Sequence, residues 1–552
     1  MKGTPVTNPA QHPEPNQTTA PAPAADGEGT DTKPTETKAD ALADQGFDMI
    51  ILGGGLGALT AAYAATKQGL RPLILEERGR PGGLVCSGVF GGATVDIGAE
   101  SYATRTPEVT DLCRELGLEP VPPVSDSWVW DHHLGEPVRI PFGTLGIPAD
   151  LDDPVFVESL TAVAGPQAVA RAREDLTLPP EVGADATNLA DLVTARLGSA
   201  VLEAFVTPFA GGIHSTHPSG LDPRKVTPGL LEAMSREGSL TGAVRATRDP
   251  QKPVVMMPRA GMFRLVDALV ERILAAGGRI DNHVRALHLE AGIGQDNPRW
   301  VVWCKHTVSN RKIPGGPPEE SGNAFGLATD RVVVALPANP ALRILNSAAA
   351  SMIRLRFHAQ RAGRDASVRF DAGALEAIGD LTTGFELHPG TPVMNVTLAV
   401  NSPELDCTPH GSGMLVGPPP AGDPAALQAK AITHYSAKWP STMVGAAPHT
   451  HVLRISYGRE GDPKGFIYGI TVERALADAS RMLGVRLHES QILDSRRVFW
   501  GDAMTHPDLS ERARIREIEA AAARVEGLDL EGAWVAGTGI TAVVAHGLRF
   551  NQ

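Results

Sequence analysis

Residues 47–77 read FDMIILGGGLGALTAAYAATKQGLRPLILEE, and their order decides the fold class. An apolar run, Met49 to Leu52, is strand-like and leads directly into Gly53, Gly54 and Gly55. The alanine-rich segment from Leu56 to Lys67 has helical spacing and propensity, Gly69 ends it, and PLILEE supplies a second strand. Strand, glycine turn, helix and strand, closed by an acidic residue at Glu76, make up the dinucleotide-binding unit of an α/β fold. Gly53 permits the tight turn, and Gly55 lets the backbone approach a pyrophosphate. Ala58 takes the third small position, where the helix packs close on the strand. At Leu56 and Gly57 the start of the helix offers unpaired N–H groups and the positive end of its dipole to a phosphate. Glu76 is expected to accept hydrogen bonds from a ribose diol. Its neighbour Glu77 is the alternative, but the spacing to Gly82 and Gly83 favours Glu76.

The rest of the chain bounds what this unit serves. At 552 residues there is room for several domains, or for one large domain built from discontinuous pieces. A hydrophobic content of 42% with 20% charged residues is that of a folded globular enzyme. The net charge of −13 argues against broad nucleic-acid binding, which needs a basic face, yet leaves room for a small basic pocket. Cys86, Cys113, Cys304 and Cys407 lie far apart with no CxxC pair, which fits reduced thiols in the cytoplasm and no zinc site. No run of eighteen apolar residues offers a transmembrane segment, and no apolar core of a secretory signal appears. Residues 1–45 hold seven prolines and almost no large apolar side chains, so a disordered tail is expected there, with a targeting or docking role as a lesser reading.

After the second strand the chain continues RGRPGGLV and then CSGVFGGATVDIGAESYATRT. This resembles the flavin amine oxidase superfamily, in which an acidic residue, a basic one and paired glycines surround the phosphates and ribose of FAD. Arg80, Gly82 and Gly83 match that pattern, while Leu84 stands where the family usually has Arg or Lys. Further blocks narrow the resemblance: VDIGAESYATRTPEVTDLCRELGLEPVPP, GTLGIPADL, LADLVTARLGSAVLEAFVTPFAGGIHS, MPRAGMFRLVDALVERILAAGGRI, KAITHYSAKWP and WVAGTGITAVVAHG. In this order they are similar to the bacterial protoporphyrinogen/coproporphyrinogen oxidase family, and most like its Gram-positive coproporphyrinogen III oxidases.

The resemblance implies an FAD-binding Rossmann-like domain of the flavin amine oxidase type, a mixed α+β substrate domain and a helical subdomain. The expected FAD-binding segments are 46–104, 255–340 and 490–552; the substrate segments are 105–140, 225–254 and 341–489; the helical subdomain is 141–224. It further implies FAD contacts at Gly98, Ala99, Glu100 and Ser101, at the backbone of Val284, at Trp500, and at Gly537, Thr538, Gly539 and Ile540. The family commonly follows the tryptophan with Pro-Gln-Tyr; AMTHPDLS departs from that.

Plain physical readings accompany these blocks. Met262, Val266, Leu269, Val270, Ile273 and Leu274 share one helical face, and Gly277 and Gly278 close the helix. GRIDNHVRALHLE reads as two short strands, DRVVVALP as a strand buried on both faces, and WVAGTGITAVVAHG as strand, glycine turn and helix. The apolar faces of residues 141–219 read as internal packing, with peripheral membrane contact the lesser alternative. Asp96 reads as a local backbone anchor.

No side-chain catalyst or metal cluster stands out, as expected when a flavin carries the redox step. The resemblance implies six-electron oxidation of coproporphyrinogen III by dioxygen, with hydrogen peroxide as product, in haem biosynthesis. A ferrochelatase is a conceivable transfer partner. Four propionates call for cations, and Arg105, Arg139 and Arg245 are the candidates. The alternatives are protoporphyrinogen IX as substrate, an amine oxidase or desaturase on the same scaffold, and a non-catalytic porphyrin or flavin binder.

Overall fold

The computed structural model describes residues 46–550 apart from 125, 250, 311–315, 421, 422, 424, 425, 505 and 506. The tail expected over residues 1–45, and Thr505 and His506 of the AMTHPDLS segment, lie outside the described residues.

Strand β1 (Met49–Leu52), helix α1 (Leu56–Lys67) and strand β2 (Pro72–Glu76) stand at the bounds the sequence predicts. β1 and β2 pair in parallel, and the central sheet runs Arg279–Asn282, β2, β1, Val332–Val334, Leu528–Leu530, every pairing parallel. Its strands come from three distant parts of the chain, which is the discontinuous α/β construction expected.

Each face of this sheet is covered, so the strands read as unbroken apolar runs. Ile51, Ile74 and Val333 enter one hydrophobic cluster, whereas Ile50, Leu52, Leu73, Leu75, Val332 and Val334 enter another. Each of these fully buried side chains contributes about 1.5–3 kcal/mol.

α1 is rich in alanine because it is crossed closely by the C-terminal helix Ile540–Gly547. A Cβ on Gly547 would stand 2.1 Å from Thr60 Oγ1, and one on Gly57 would lie 3.3 Å from Val543.

A second, seven-stranded sheet orders as Ile492–Met504, Thr391–Asn401, Thr450–Tyr457, Ala431–His434, Gly413–Val416, Ser127–Asp131 and Glu136–Arg139. Alternation along the strands gives it two different faces. Val396, Leu398, Leu453, Ile455 and Ile432 pack into one hydrophobic cluster behind it. In front, Ala399 and Val452 pack against the first unit, with Val498 and Trp500 beside them.

The helical region has its own core, from Ile147 to Val244. This core continues past residue 224, because the helices Leu230–Glu237 and Leu240–Thr247 are tied into it by a buried ion pair. Arg196 Nε donates to Asp175 Oδ1 at 2.6 Å, and the backbone N–H groups of Leu240 and Thr241 donate to the same carboxylate at 3.0 and 2.9 Å.

Two expectations are corrected. The Phe263–Ala275 helix buries Leu265, Val266, Leu269 and Ile273, whereas Leu274 is 50% exposed. The core-facing stripe is therefore rotated towards Leu265, away from Leu274. WVAG is a helical turn, Ala533–Ala536, not a strand. The strand is Leu528–Leu530, and Gly532, at φ +111°, diverts the chain before Trp534 buries itself in the core.

Candidate functional site

Gly53 adopts φ +96°, and a Cβ there would stand 2.5 Å from the Ala335 carbonyl oxygen, so the turn admits only glycine. Gly54 N–H donates to Glu76 Oε2 at 2.8 Å and Arg78 N–H to Oε1 at 2.8 Å, holding the Glu76 carboxylate beneath the turn. Burial raises the pKa of Glu76, against the pull of these two donors. Glu77 has another partner: Arg285 Nε donates to it at 2.8 Å.

Gly55 differs from its neighbours. A Cβ there would meet nothing within 4 Å, and across this space stands Gly83, whose own Cβ would lie 3.3 Å from the Gly55 Cα. Gly55 and Gly82 form an isolated parallel bridge, and Arg80 braces the second loop by donating to the carbonyls of Pro81 and Gly83 at 3.2 and 3.3 Å. Over this opening the start of α1, at Leu56, Gly57 and Ala58, has no side-chain cap and no acid in its first turn. The helix Ile540–Gly547 likewise begins uncapped behind Gly537 (φ +97°), Thr538 and Gly539 (φ +115°), with open space beside Gly539. Two bare helix starts and a cradle that a Cβ would fill fit a phosphate-bearing cofactor. Val284 is buried one residue after His283, whose N–H donates to the Arg78 carbonyl at 3.1 Å, so its strand begins over the end of β2. Buried His283 Nδ1 has no hydrogen-bond partner among the described residues, leaving a polar atom available at that end.

Leu84 reaches the next loop through its backbone: its carbonyl accepts from Ala99 N–H at 2.9 Å, and a Cβ on Gly98 would strike the same oxygen. Its side chain is 47% exposed. Thr541 Oγ1 donates to the Ala103 carbonyl at 2.8 Å, joining the C-terminal helix to the segment after Ser101. Trp500 lies half-buried opposite Val393 at the front of the seven-stranded sheet.

Between the Gly98–Ser101 turn and that sheet lies a charged cluster in which Glu100, expected as a cofactor contact, meets Lys438 and Arg454, which the sequence reading did not single out. Lys438 Nζ donates to Glu100 Oε1 at 2.5 Å, Arg454 Nη1 to Glu100 Oε2 at 2.6 Å, and Arg454 Nη2 to the Gly98 carbonyl at 2.7 Å. Burial works to raise the pKa of Glu100, but the Lys438 and Arg454 cations outweigh it and hold the carboxyl below its ordinary value. Beside the cluster, Asp96 accepts from the N–H groups of Met262 and Phe263 at 2.8 and 3.0 Å and from Tyr435 Oη at 2.9 Å. Asp96 is indeed a backbone anchor, but a long-range one: it caps the start of the Phe263–Ala275 helix. Burial pushes its pKa up to about 6.

One signal for Arg454 was present in the sequence. THVLRISY is an apolar strand interrupted by one arginine, and a buried charge needs a partner. Nothing local identified Glu100 as that partner, 354 residues away.

The three arginine candidates do not converge. Arg105 donates to the Val226 carbonyl at 3.2 Å from the end of the glycine-rich segment. Arg139 pairs in register with Trp128, lies 5.8 Å from its ring and bridges Asp126 at 3.2 Å. Because Trp128 packs on the rear cluster, Arg139 faces away from the front of the sheet, which corrects its expected role. Arg245 is 62% exposed and turns to the Ala149 carbonyl at 3.2 Å and to Asp150 at 3.5 Å, engagements that direct it to the surface of the helical region.

Among the described residues no group of His, Cys, Asp and Glu could hold a metal ion, the four cysteines are free, and no helix is long and apolar enough to cross a membrane. The model of the flavin containing amine oxidoreductases matches residues 59–362. A coproporphyrinogen III oxidase of Mycobacterium tuberculosis is 28% identical over 423 residues, 75% of this chain and 76% of its own. One of Staphylococcus aureus is 31% identical over 199 residues, 35% of this chain and 41% of its own. A crystal structure from Exiguobacterium sp. 255-15, provisionally named a protoporphyrinogen oxidase, matches with a TM-score of 0.66 at 21% identity, covering 91% of this chain and 97% of that one, a likeness of fold. With its family match spanning more than half its length, this chain belongs to the flavin-containing amine oxidoreductase family.

Proposed function

We propose that the chain is an FAD-dependent oxidase that converts coproporphyrinogen III to coproporphyrin III with dioxygen, giving hydrogen peroxide. The observation that carries this reading is the bare-backbone cradle around Gly55 and Gly83, linked through Leu84 and Gly98 to the front of the seven-stranded sheet. It is joined by the similarity to a coproporphyrinogen III oxidase over three quarters of both chains. Bound FAD would supply a two-electron acceptor that dioxygen regenerates, so three turnovers remove six electrons.

The chain's own residues then have defined tasks. The starts of α1 and of the Ile540–Gly547 helix hold the phosphates, and Glu76 accepts from the ribose while Arg285 keeps Glu77 occupied. Glu100, clamped by Lys438 and Arg454, fixes the Gly98–Ser101 turn against the substrate sheet. Arg105, at the end of that segment, would meet a propionate of the substrate. Pyrrole N–H protons leave to water, since no side chain is assigned as their acceptor. Four cysteines without a disulfide favour a reducing compartment, the cytoplasm.

The test is anaerobic mixing of the flavin-loaded protein with coproporphyrinogen III and with protoporphyrinogen IX, following flavin bleaching. Aerobic porphyrin fluorescence and oxygen uptake are then followed. Faster bleaching and higher kcat/KM with coproporphyrinogen are expected. Equal or better values with protoporphyrinogen would reassign the substrate, and no bleaching with either would overturn the reading.

A further inference from the structure

The Ala338–Arg361 helix, with 24 residues the longest among the described ones, contains no acidic residue and carries four arginines and a histidine in a chain of net charge −13. Its buried side, with Leu342, Leu345, Ala348 and Met352, enters the core of the central sheet. On the 100° helical period, Arg343, Ala350, Arg354, Phe357 and Arg361 fall on one outward stripe, with Ile353 on one flank and His358 on the other. Ile353 and Phe357 are each 56% exposed. Arg354 reaches Glu290 only at 3.7 Å, and Arg343 and Arg361 join no ion pair among the described residues. Packing explains one side of this helix; on the outward stripe, the long Arg354–Glu290 contact is the one ion pair among the described residues.

We propose that this stripe docks on an anionic phospholipid surface. Two half-exposed apolar side chains set among arginines, with no acid on the helix, match an interface where rings enter the acyl boundary and guanidinium groups meet phosphates. The nearby acids include Glu290, 3.7 Å from Arg354, Glu376, held by Arg356 at 3.4 Å, Asp380, lining the groove beside Ile353, and Asp365 past the helix end, engaged by Ser367 and Gln295. They border the stripe rather than interrupt it. The helical region, for which membrane contact is the lesser reading beside internal packing, is a different surface and packs its apolar residues into its own core.

The experiment is co-sedimentation of the full-length, flavin-loaded protein with phosphatidylcholine vesicles, with and without phosphatidylglycerol. Binding is expected only with phosphatidylglycerol and lost at high salt. Each arginine near such a surface is worth about fivefold in partitioning, so Arg354→Gln/Arg361→Gln should weaken binding by about twentyfold. Ile353→Ser/Phe357→Ser should weaken it by about tenfold. All four positions are exposed, so unchanged flavin content and solution activity verify folding. Absence of sedimentation with anionic vesicles overturns the proposal, as does sedimentation that both double variants retain. Loss of binding through Leu176→Ser alone, at an exposed leucine of the Glu174–Leu176 turn, would move the contact to the helical region, and a soluble acidic protein bound without any vesicle binding would replace the lipid as partner.

Discussion

Replacing Glu100 with glutamine keeps the shape of the side chain and removes its charge, leaving Lys438 and Arg454 facing each other without a counter-ion. The side chains of Glu100, Arg454 and Lys438 are 16%, 7% and 21% exposed, so solvent screens the loss only weakly. Breaking a buried pair from one side typically costs about 3–5 kcal/mol. Lys438 can swing part of its ammonium towards water, which puts the expected loss near the lower end, about 3 kcal/mol. Urea unfolding of the variants at pH 7 measures it. Lys438→Met in the Glu100→Gln background should recover part of the loss, because it removes one of the stranded cations. The pH dependence has a definite sign. The folded pKa of Glu100 is depressed, so its stabilisation is fully present above the ordinary carboxyl value of 4.5 and fades as pH falls through the lower folded value. The gap between wild type and Glu100→Gln must therefore narrow on acidification. A Glu100→Gln loss below about 1 kcal/mol, or losses for the two substitutions that simply add, would refute the claim that the three groups act as one clamp.

Other substitutions test neighbouring parts of the site. Gly55→Ala adds a methyl group to open space at an ordinary φ of −69°, so the protein should fold normally but purify with little flavin; full flavin content would remove Gly55 from the cradle. Gly53→Ala, strained at φ +96° and 2.5 Å from a carbonyl oxygen, should instead lose stability by several kcal/mol in thermal unfolding. Asp96 titrates oppositely to Glu100: its rise from 3.8 to about 6 means that ionisation on going from pH 4 to pH 7 costs roughly 2 kcal/mol of stability. Relative to Asp96→Asn, wild type should therefore lose stability as pH rises through this range in urea titrations, and a gap moving the other way would contradict the assigned burial. Arg139→Ala should leave kcat/KM for porphyrinogen within about twofold, because its guanidinium stacks behind the sheet; a tenfold loss would return it to the substrate side.

The first unit was legible in the sequence because its information is local. Gly53 is needed for a turn that follows its strand directly, and Glu76 lies one helix away, so motif and geometry coincide within thirty residues. The charged clamp was not legible, since Glu100 and Arg454 meet only after two sheets pack together, and each alone resembles any charged residue. Arg139 failed for a related reason. A one-residue change in strand register reverses the face that a side chain occupies, and nothing in EPVR states which face becomes the cavity wall. WVAG misled because apolar residues before glycine suit a strand and a buried helical turn equally; the positive φ of Gly532 decided between them.

These cases suggest how the two halves of the site are coupled. Leu84, the residue least like the family pattern, works through its carbonyl, which fixes Ala99 and leaves no room for a side chain at Gly98. The side chain at position 84 is thus free to vary while the backbone connection persists. From that loop the Glu100 clamp runs to Arg454 in the seven-stranded sheet and to Lys438 in the short helix Tyr435–Lys438, and Asp96 runs to the start of the Phe263–Ala275 helix and to Tyr435. A segment of five residues, Asp96 to Glu100, therefore anchors three separate parts of the chain through two buried carboxylates. Any shift of the seven-stranded sheet relative to the cradle must strain both, so the rigidity of this junction comes from the Glu100 ion pairs and the Asp96 hydrogen bonds as well as from apolar packing.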